Sequence, residues 1–345
     1  MIRDLRTAVI VGFMGLAIWL MSGCSPSPTT TPTASPPTSP QASTPGQQAL
    51  ANPQDVEWQN VLKEARKEGT VDFYATYGIP EVRAWLDKAM SEKYGIKIEW
   101  TVAGGPVNTE RIRVEQKTGQ YVADLWWAGA AVTNIAPLRS IGALQTYRPR
   151  TVDLEPNVWR TKVNSLDGNW DNLAVSLSLG GPMVINTKLV RPEDYPKSYK
   201  DLLDPKWKGK IILQDPSIAG QGCVLFQFLK EQYSNLDYFD QLAKQDVTIL
   251  RDFSEIARRV AVGESSLALG LTPSYVMPFI QAGSPIKLIS PVEGAWRSRN
   301  TYHLINKAPH PNAAKVLIEY SLTKEAQEKA AYLLGNMPAR SDANY

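Results

Sequence analysis

From residue 52 onward, apolar positions recur with two periods in alternation. Trp58, Val61, Leu62 and Ala65 fall at helical spacing, and Gly69 stops that helix. Residues 71–75 then read as a strand, 76–78 as a polar loop, and Ile79, Val82, Leu86, Ala89 and Met90 as one helix face. Ile96, Ile98, Trp100 and Val102 alternate as a second strand, followed by a polar helix over about 107–118. A third strand over 123–127 ends in Ala128-Gly129-Ala130-Ala131. Residues 141–170 are irregular and rich in turn formers. Residues 173–186 form one long strand broken by Gly180-Gly181-Pro182; this suits a crossing between two lobes, with a β-bulge as the competing explanation.

The alternation then repeats. A short apolar run over 210–213 reads as a buried strand, and Asp215-Pro216-Ser217 starts a turn. Gly220-Gln221-Gly222 opens a helix reaching about residue 231. Strands at 247–250 and 266–270 flank a helix at 253–262, and the loop 271–275 leads into another helix. Strands near 286–289 and 301–305 return to the first lobe, and helices over 311–321 and 324–334 close the chain. Strands that alternate with helices predict α/β architecture, each lobe a helix-covered, mostly parallel sheet. The lobes span 52–180 with 285–345, and 181–284.

Ligands in such sheets sit at the carboxyl ends of strands. Thr76, Tyr77, Gly78 and Ala130 are therefore candidate ligand contacts in the first lobe, Tyr77 being equally readable as a packed surface aromatic. In the second lobe the candidates are Ser217, Ala219, Gly220 and Gln221, where a helix N-terminus offers free N–H groups to an anion. An ordinary strand-to-helix turn is the competing reading. Thr272, Ser274 and Tyr275 follow the 266–270 strand, and Arg297 and Arg299 can bond an anion in bidentate fashion or lie free in solvent.

The N-terminus bears on compartment. Arg3 and Arg6 precede an apolar run from Ala8 to Met21, short for a membrane span and suited to a signal peptide. It ends in Leu20-Met21-Ser22-Gly23-Cys24, which matches a lipoprotein cleavage box. The expectation is a signal peptide over 1–23, lipidation of Cys24, and a Ser/Pro/Thr tether over 24–51 that stays extended. The protein would then be extracytoplasmic, in the periplasm or on the outer cell surface. A net charge of +3, with dispersed Lys and Arg, argues against nucleic acid. The two cysteines are Cys24 and Cys223, and no His/Cys set has metal spacing.

Several segments together resemble the extracellular solute-binding proteins of ABC importers, in the group that includes the ferric-iron binders. They are Lys188-Leu189, the Tyr199–Ile211 stretch with its Asp-Pro-Lys-Trp-Lys-Gly-Lys, residues 261–266, the Pro-Asn-Ala-Ala-Lys of 311–315, and Asn336-Met337-Pro338-Ala339-Arg340. The resemblance implies the two-lobed type II periplasmic-binding-protein fold, joined by crossing strands, with a solute bound between the lobes and delivered to membrane permease subunits. It implies a monomer with no cofactor and no catalysis. The ferric members use adjacent tyrosines where this chain has Thr272-Pro273-Ser274-Tyr275, so an anionic or phosphoryl solute is favoured over iron held by Tyr77 and Tyr275. Two other classes remain: an enzyme with Cys223 as nucleophile, against which stands a buried core cysteine in Cys223-Val224-Leu225-Phe226, and a sensory ligand-binding module.

Overall fold

The computed structural model describes residues 53–345 apart from 77, 130–131, 164–167, 219 and 234–236. The signal peptide, Cys24 and the tether lie outside the described residues, as do Tyr77, Ala130 and Ala219.

The chain runs through α1 (Pro53–Glu68), β1 (Thr70–Ala75), α2 (Pro80–Tyr94), β2 (Lys97–Val102), α3 (Gly105–Thr118), β3 (Leu125–Gly129), α4 (Val132–Ser140), β4 (Leu144–Gln145) and α5 (Arg150–Leu154). Then come β5 (Leu173–Leu179), β6 (Met183–Asn186), β7 (Ile211–Gln214), α6 (Gln221–Gln232), α7 (Asp237–Ala243), β8 (Thr248–Leu250), α8 (Phe253–Val262), β9 (Leu267–Leu269) and α9 (Pro273–Gln281). The chain closes with β10 (Ile286–Ile289), β11 (Arg297–Ile305), α10 (Pro311–Ser321), α11 (Lys324–Leu334) and β12 (Met337–Pro338).

The strands form two sheets. The first has the order β12-β5-β11-β3-β1-β2, with β4 beside β11; the second has the order β10-β6-β9-β7-β8. The βαβ units make β1 parallel to β2 and β3, and β7 parallel to β8 and β9. The remaining pairs are antiparallel, so both sheets are mixed rather than mostly parallel. Central strands are buried along their length, as β3 and β7 are, while β2 at the edge is half-wetted. Val71, Phe73 and Ala75 face a core built with α2, α10 and α11, and Tyr74 and Trp126 face the other layer with Ile112 of α3 and Leu138 of α4. In the second sheet, α8 and α9 pack with Val184, Ile212 and Ala268, and α6 and α7 cover the opposite face.

β5 and β6 carry the chain from one sheet to the other through Gly180, Gly181 and Pro182, in agreement with the crossing reading. The strand at 286–289, expected in the first lobe, instead pairs antiparallel with β6 as an edge of the second sheet. The return crossing therefore lies after it, over 290–296, and the boundary anticipated at 284–285 falls several residues too early. The pattern shows a short apolar run but not which sheet edge receives it. The Asp-Pro-Lys-Trp-Lys-Gly segment is structural. Asp204 accepts from the Lys206 N–H, Trp207 is buried in the second core, and Gly209 N–H donates to the Gln245 carbonyl.

Candidate functional site

The carboxyl ends of the parallel strands β1 and β7 carry the candidate contacts of the two lobes. In the first lobe β1 ends at Ala75, and Thr76 N–H donates to the Trp127 carbonyl at 2.9 Å, tying the loop to β3. The Thr76 hydroxyl oxygen is buried with no partner. Gly78 passes close over β2, since a Cβ there would fall 2.6 Å from Val102 Cγ1. Asn108, on the first turn of α3 and fully buried, donates Nδ2–H to the carbonyls of Ala103 (2.9 Å) and Ala75 (3.3 Å). Its Oδ1 is also without a partner.

In the second lobe β7 ends at Gln214 and α6 begins seven residues later, after Gly220 as its N-cap, which supplies no side-chain cap. Gln214 takes that role from below: Oε1 accepts the Gly222 N–H at 2.5 Å. Its Nε2 is buried and unpartnered. Ser217 is committed elsewhere, since its N–H (2.9 Å) and hydroxyl (2.6 Å) both donate to Asp215 Oδ1. Those bonds, with Arg251 at 3.0 Å, hold the Asp215 carboxyl below the usual range. Both donors of Ser217 are thus engaged in an internal turn.

The α6 turn sits at the lobe junction. Gln221 Oε1 accepts from the Trp296 indole N–H at 3.3 Å, and Trp296 belongs to the return crossing. Thr272 and Ser274, both buried, face each other with 2.8 Å between their hydroxyls at the start of α9. That helix start also abuts the first lobe: a Cβ on Gly335 would fall 2.9 Å from Pro273 Cβ and 2.7 Å from Met277 Cγ. Tyr275 stacks on Phe253 with centroids 4.8 Å apart, in the second-lobe layer of α8 and α9. Arg297 is exposed at the first position of β11, and Arg299 donates to the Thr161 hydroxyl at 2.7 Å.

Cys223 is half-buried, not the core cysteine expected from its apolar neighbours. The buried side of α6 is Gly222, Leu225 and Leu229, and a residue one position after Gly222 is turned about 100° from it.

One titratable cluster lies at the opposite, amino ends of β1 and β3. Asp124, fully buried, accepts from Asp72 N–H (2.7 Å), His310 N–H (2.6 Å) and the His310 ring (2.8 Å). Burial raises the Asp124 carboxyl, and burial and then Asp124 raise Asp72. Sequence spacing hides this set, because its members are far apart in the chain. Its bonds to backbone N–H groups fit a brace for the start of α10.

Gln214, Asn108 and Trp296 were not singled out from the sequence. The one available signal was Gln214 itself, a polar residue ending the apolar run Ile211–Leu213.

Residues 84–344 match the family model described as bacterial extracellular solute-binding protein. The chain is 25% identical over 300 residues to a putative 2-aminoethylphosphonate-binding periplasmic protein of Salmonella typhi, covering 80% of each. In structure it resembles the periplasmic binding protein AfuA of Actinobacillus pleuropneumoniae with fructose-6-phosphate bound, at TM-score 0.62 and 22% identity, covering 80% of this chain and 86% of that one. It also resembles iron-bound HitA of Pseudomonas aeruginosa at TM-score 0.64 and 20% identity, covering 80% and 88%. The two-sheet architecture is that of the type II periplasmic binding proteins. With two crossings between its sheets and a match over most of its length, the chain belongs to the bacterial extracellular solute-binding protein family.

Proposed function

We propose that the chain is the substrate-binding lipoprotein of an ABC importer. It captures a small anionic solute (a phosphonate, a phosphorylated small molecule or an organic acid) between its two lobes and delivers it to a membrane permease. A lipid on Cys24 and the 24–51 tether hold it at the membrane, on the extracytoplasmic side.

One observation carries this reading. Among the buried polar side-chain atoms without partners in the described residues are Thr76 Oγ, Asn108 Oδ1 and Gln214 Nε2, which belong to the segments that follow the carboxyl ends of β1, β2 and β7. Buried polar groups in folded proteins are nearly always paired, so unpaired ones after strand ends, where α/β sheets hold ligands, support a solute at those places. The α6 N-terminus adds positive dipole character to the second wall. The phosphonate and sugar-phosphate names of the relatives agree with an anion. Tyr275, one of the two tyrosines (with Tyr77) that iron binding would use, stacks its ring on Phe253.

The test is mass spectrometry of the solute released from protein purified from its own host. A phosphonate, phosphate ester or carboxylate is the expected finding. A visible tyrosinate-to-iron band after ferric citrate addition, lost in Tyr275→Phe, would replace the anion with iron.

A further inference from the structure

Gln214 is fully buried at the last position of β7. Its carboxamide has only one sensible orientation. The Gly222 N–H points at it from 2.5 Å, and a flipped amide would set two donors against each other. The carboxamide as a whole lies against Gly220, where a Cβ would fall 2.9 Å from Nε2 and 3.0 Å from Oε1. Glycines enclose the side chain: a Cβ on Gly222 would fall 2.2 Å from the Gln214 carbonyl oxygen, and one on Gly270 would fall 3.4 Å from Gln214 Cβ. Capping α6 explains Oε1 but not Nε2, which is left buried and unpaired. A carboxylate would cap a helix N-terminus better, because it also meets the dipole. A carboxamide half of which has no partner is costly unless something else completes it.

We propose that Gln214 determines the solute class of this protein, its Nε2–H donating to an oxyanion oxygen of the captured solute. The inference rests on the reading of the 215–222 turn as one wall of the binding site. The Gly222 N–H, the carboxamide and the solute oxygen form a series in which each hydrogen bond polarises the next. The terminal group of that series is a donor at the positive end of a helix, which receives a phosphonate, phosphate ester or carboxylate oxygen and disfavours a bare cation.

The experiment is titration calorimetry of the full chain with 2-aminoethylphosphonate, fructose 6-phosphate and inorganic phosphate. Gln214→Glu keeps an acceptor for the Gly222 N–H but removes the donor and adds a like charge. Gln214→Met keeps the volume and removes the donor without adding charge. The wild type should bind at least one probe, and both variants should bind it at least about 30-fold more weakly, the loss of one hydrogen bond to a charged group. Either variant retaining wild-type affinity overturns the role of Gln214 and leaves the anion wall standing. A wild type that binds none of the three probes overturns the wall and the role together.

Discussion

The indole of Trp296 occupies the place where a side chain at Gly180 would stand: a Cβ there would fall 2.0 Å from Nε1. The Gly180 N–H also donates to the Trp296 carbonyl at 2.9 Å. The two crossing segments are thus locked to each other by one ring and one backbone bond, and Gly181 brings its own close approach, 2.6 Å from the ring to a would-be Cβ. This contact joins the segments about which the two lobes must turn if they close on a solute.

Gly180→Ala should therefore expel the indole and destabilise the fold, and Trp296→Ala should leave a void between the crossings. For a half-buried tryptophan the second loss is about 2 kcal/mol, less than in a full core. Chemical denaturation checks both. Wild-type stability in Gly180→Ala would show that the ring gives way without cost.

Gly220→Asp places a carboxylate at the α6 N-cap, where it accepts from helix N–H groups and fills the position proposed for an anion. Its Cβ would press on the buried Gln214 carboxamide, 2.9 Å from Nε2, so stability without solute should fall by about 1 kcal/mol, the cap offsetting part of the overpacking. Stabilisation by solute should vanish in thermal melts. A variant still stabilised by the wild-type solute would remove the 215–222 turn from the site.

His303, fully buried in β11, is set between the Thr301 hydroxyl (2.9 Å) and the Asp171 carbonyl (3.0 Å), the latter accepting its Nδ1–H. Burial lowers this imidazole from 6.5 to about 4. The unfolded chain takes up the proton as pH falls through 6.5, while the folded protein resists until about 4. Stability should be full above that window, decline across it as pH falls, and level off below; the amplitude is about 3 kcal/mol. Asp72 and Asp124, raised by burial, act in the opposite sense, favouring the fold fully below 3.8 and less so as pH rises through their raised folded values. His303→Gln should flatten the decline between 6.5 and 4 in denaturant melts, and an unaltered slope would assign it to another group.

Cys24→Ser should shift the protein from the detergent phase to the aqueous phase on Triton X-114 partition, and intact mass should lose the acyl groups. Recovery of Cys24→Ser in the detergent phase would leave the anchor to some other feature.

The periodic elements were legible because each is set by local chemistry. The α8 helix at 253–262 and the helices α10 and α11 stand where their apolar spacing put them, and the glycine pair at 180–181 marks a real crossing. The short α7 and the two-residue strands β4 and β12 went unseen, being too brief to carry a period. The strand-to-helix turn of the second sheet was also legible, in Gly220-Gln221-Gly222 opening a helix after a strand.

By itself, then, the sequence determined the alternation of strands and helices, the family motifs and the glycines of the α6 turn, because these depend on neighbours along the chain. Only the tertiary structure decided which sheet takes the 286–289 strand, that the Ser217 hydroxyl is spent on Asp215, that Asp72 and Asp124 meet His310, and that Gln214 caps α6 with one half of its amide while the other half is left unpaired. Those outcomes rest on hydrogen-bond satisfaction between residues distant in the chain, which no local pattern records.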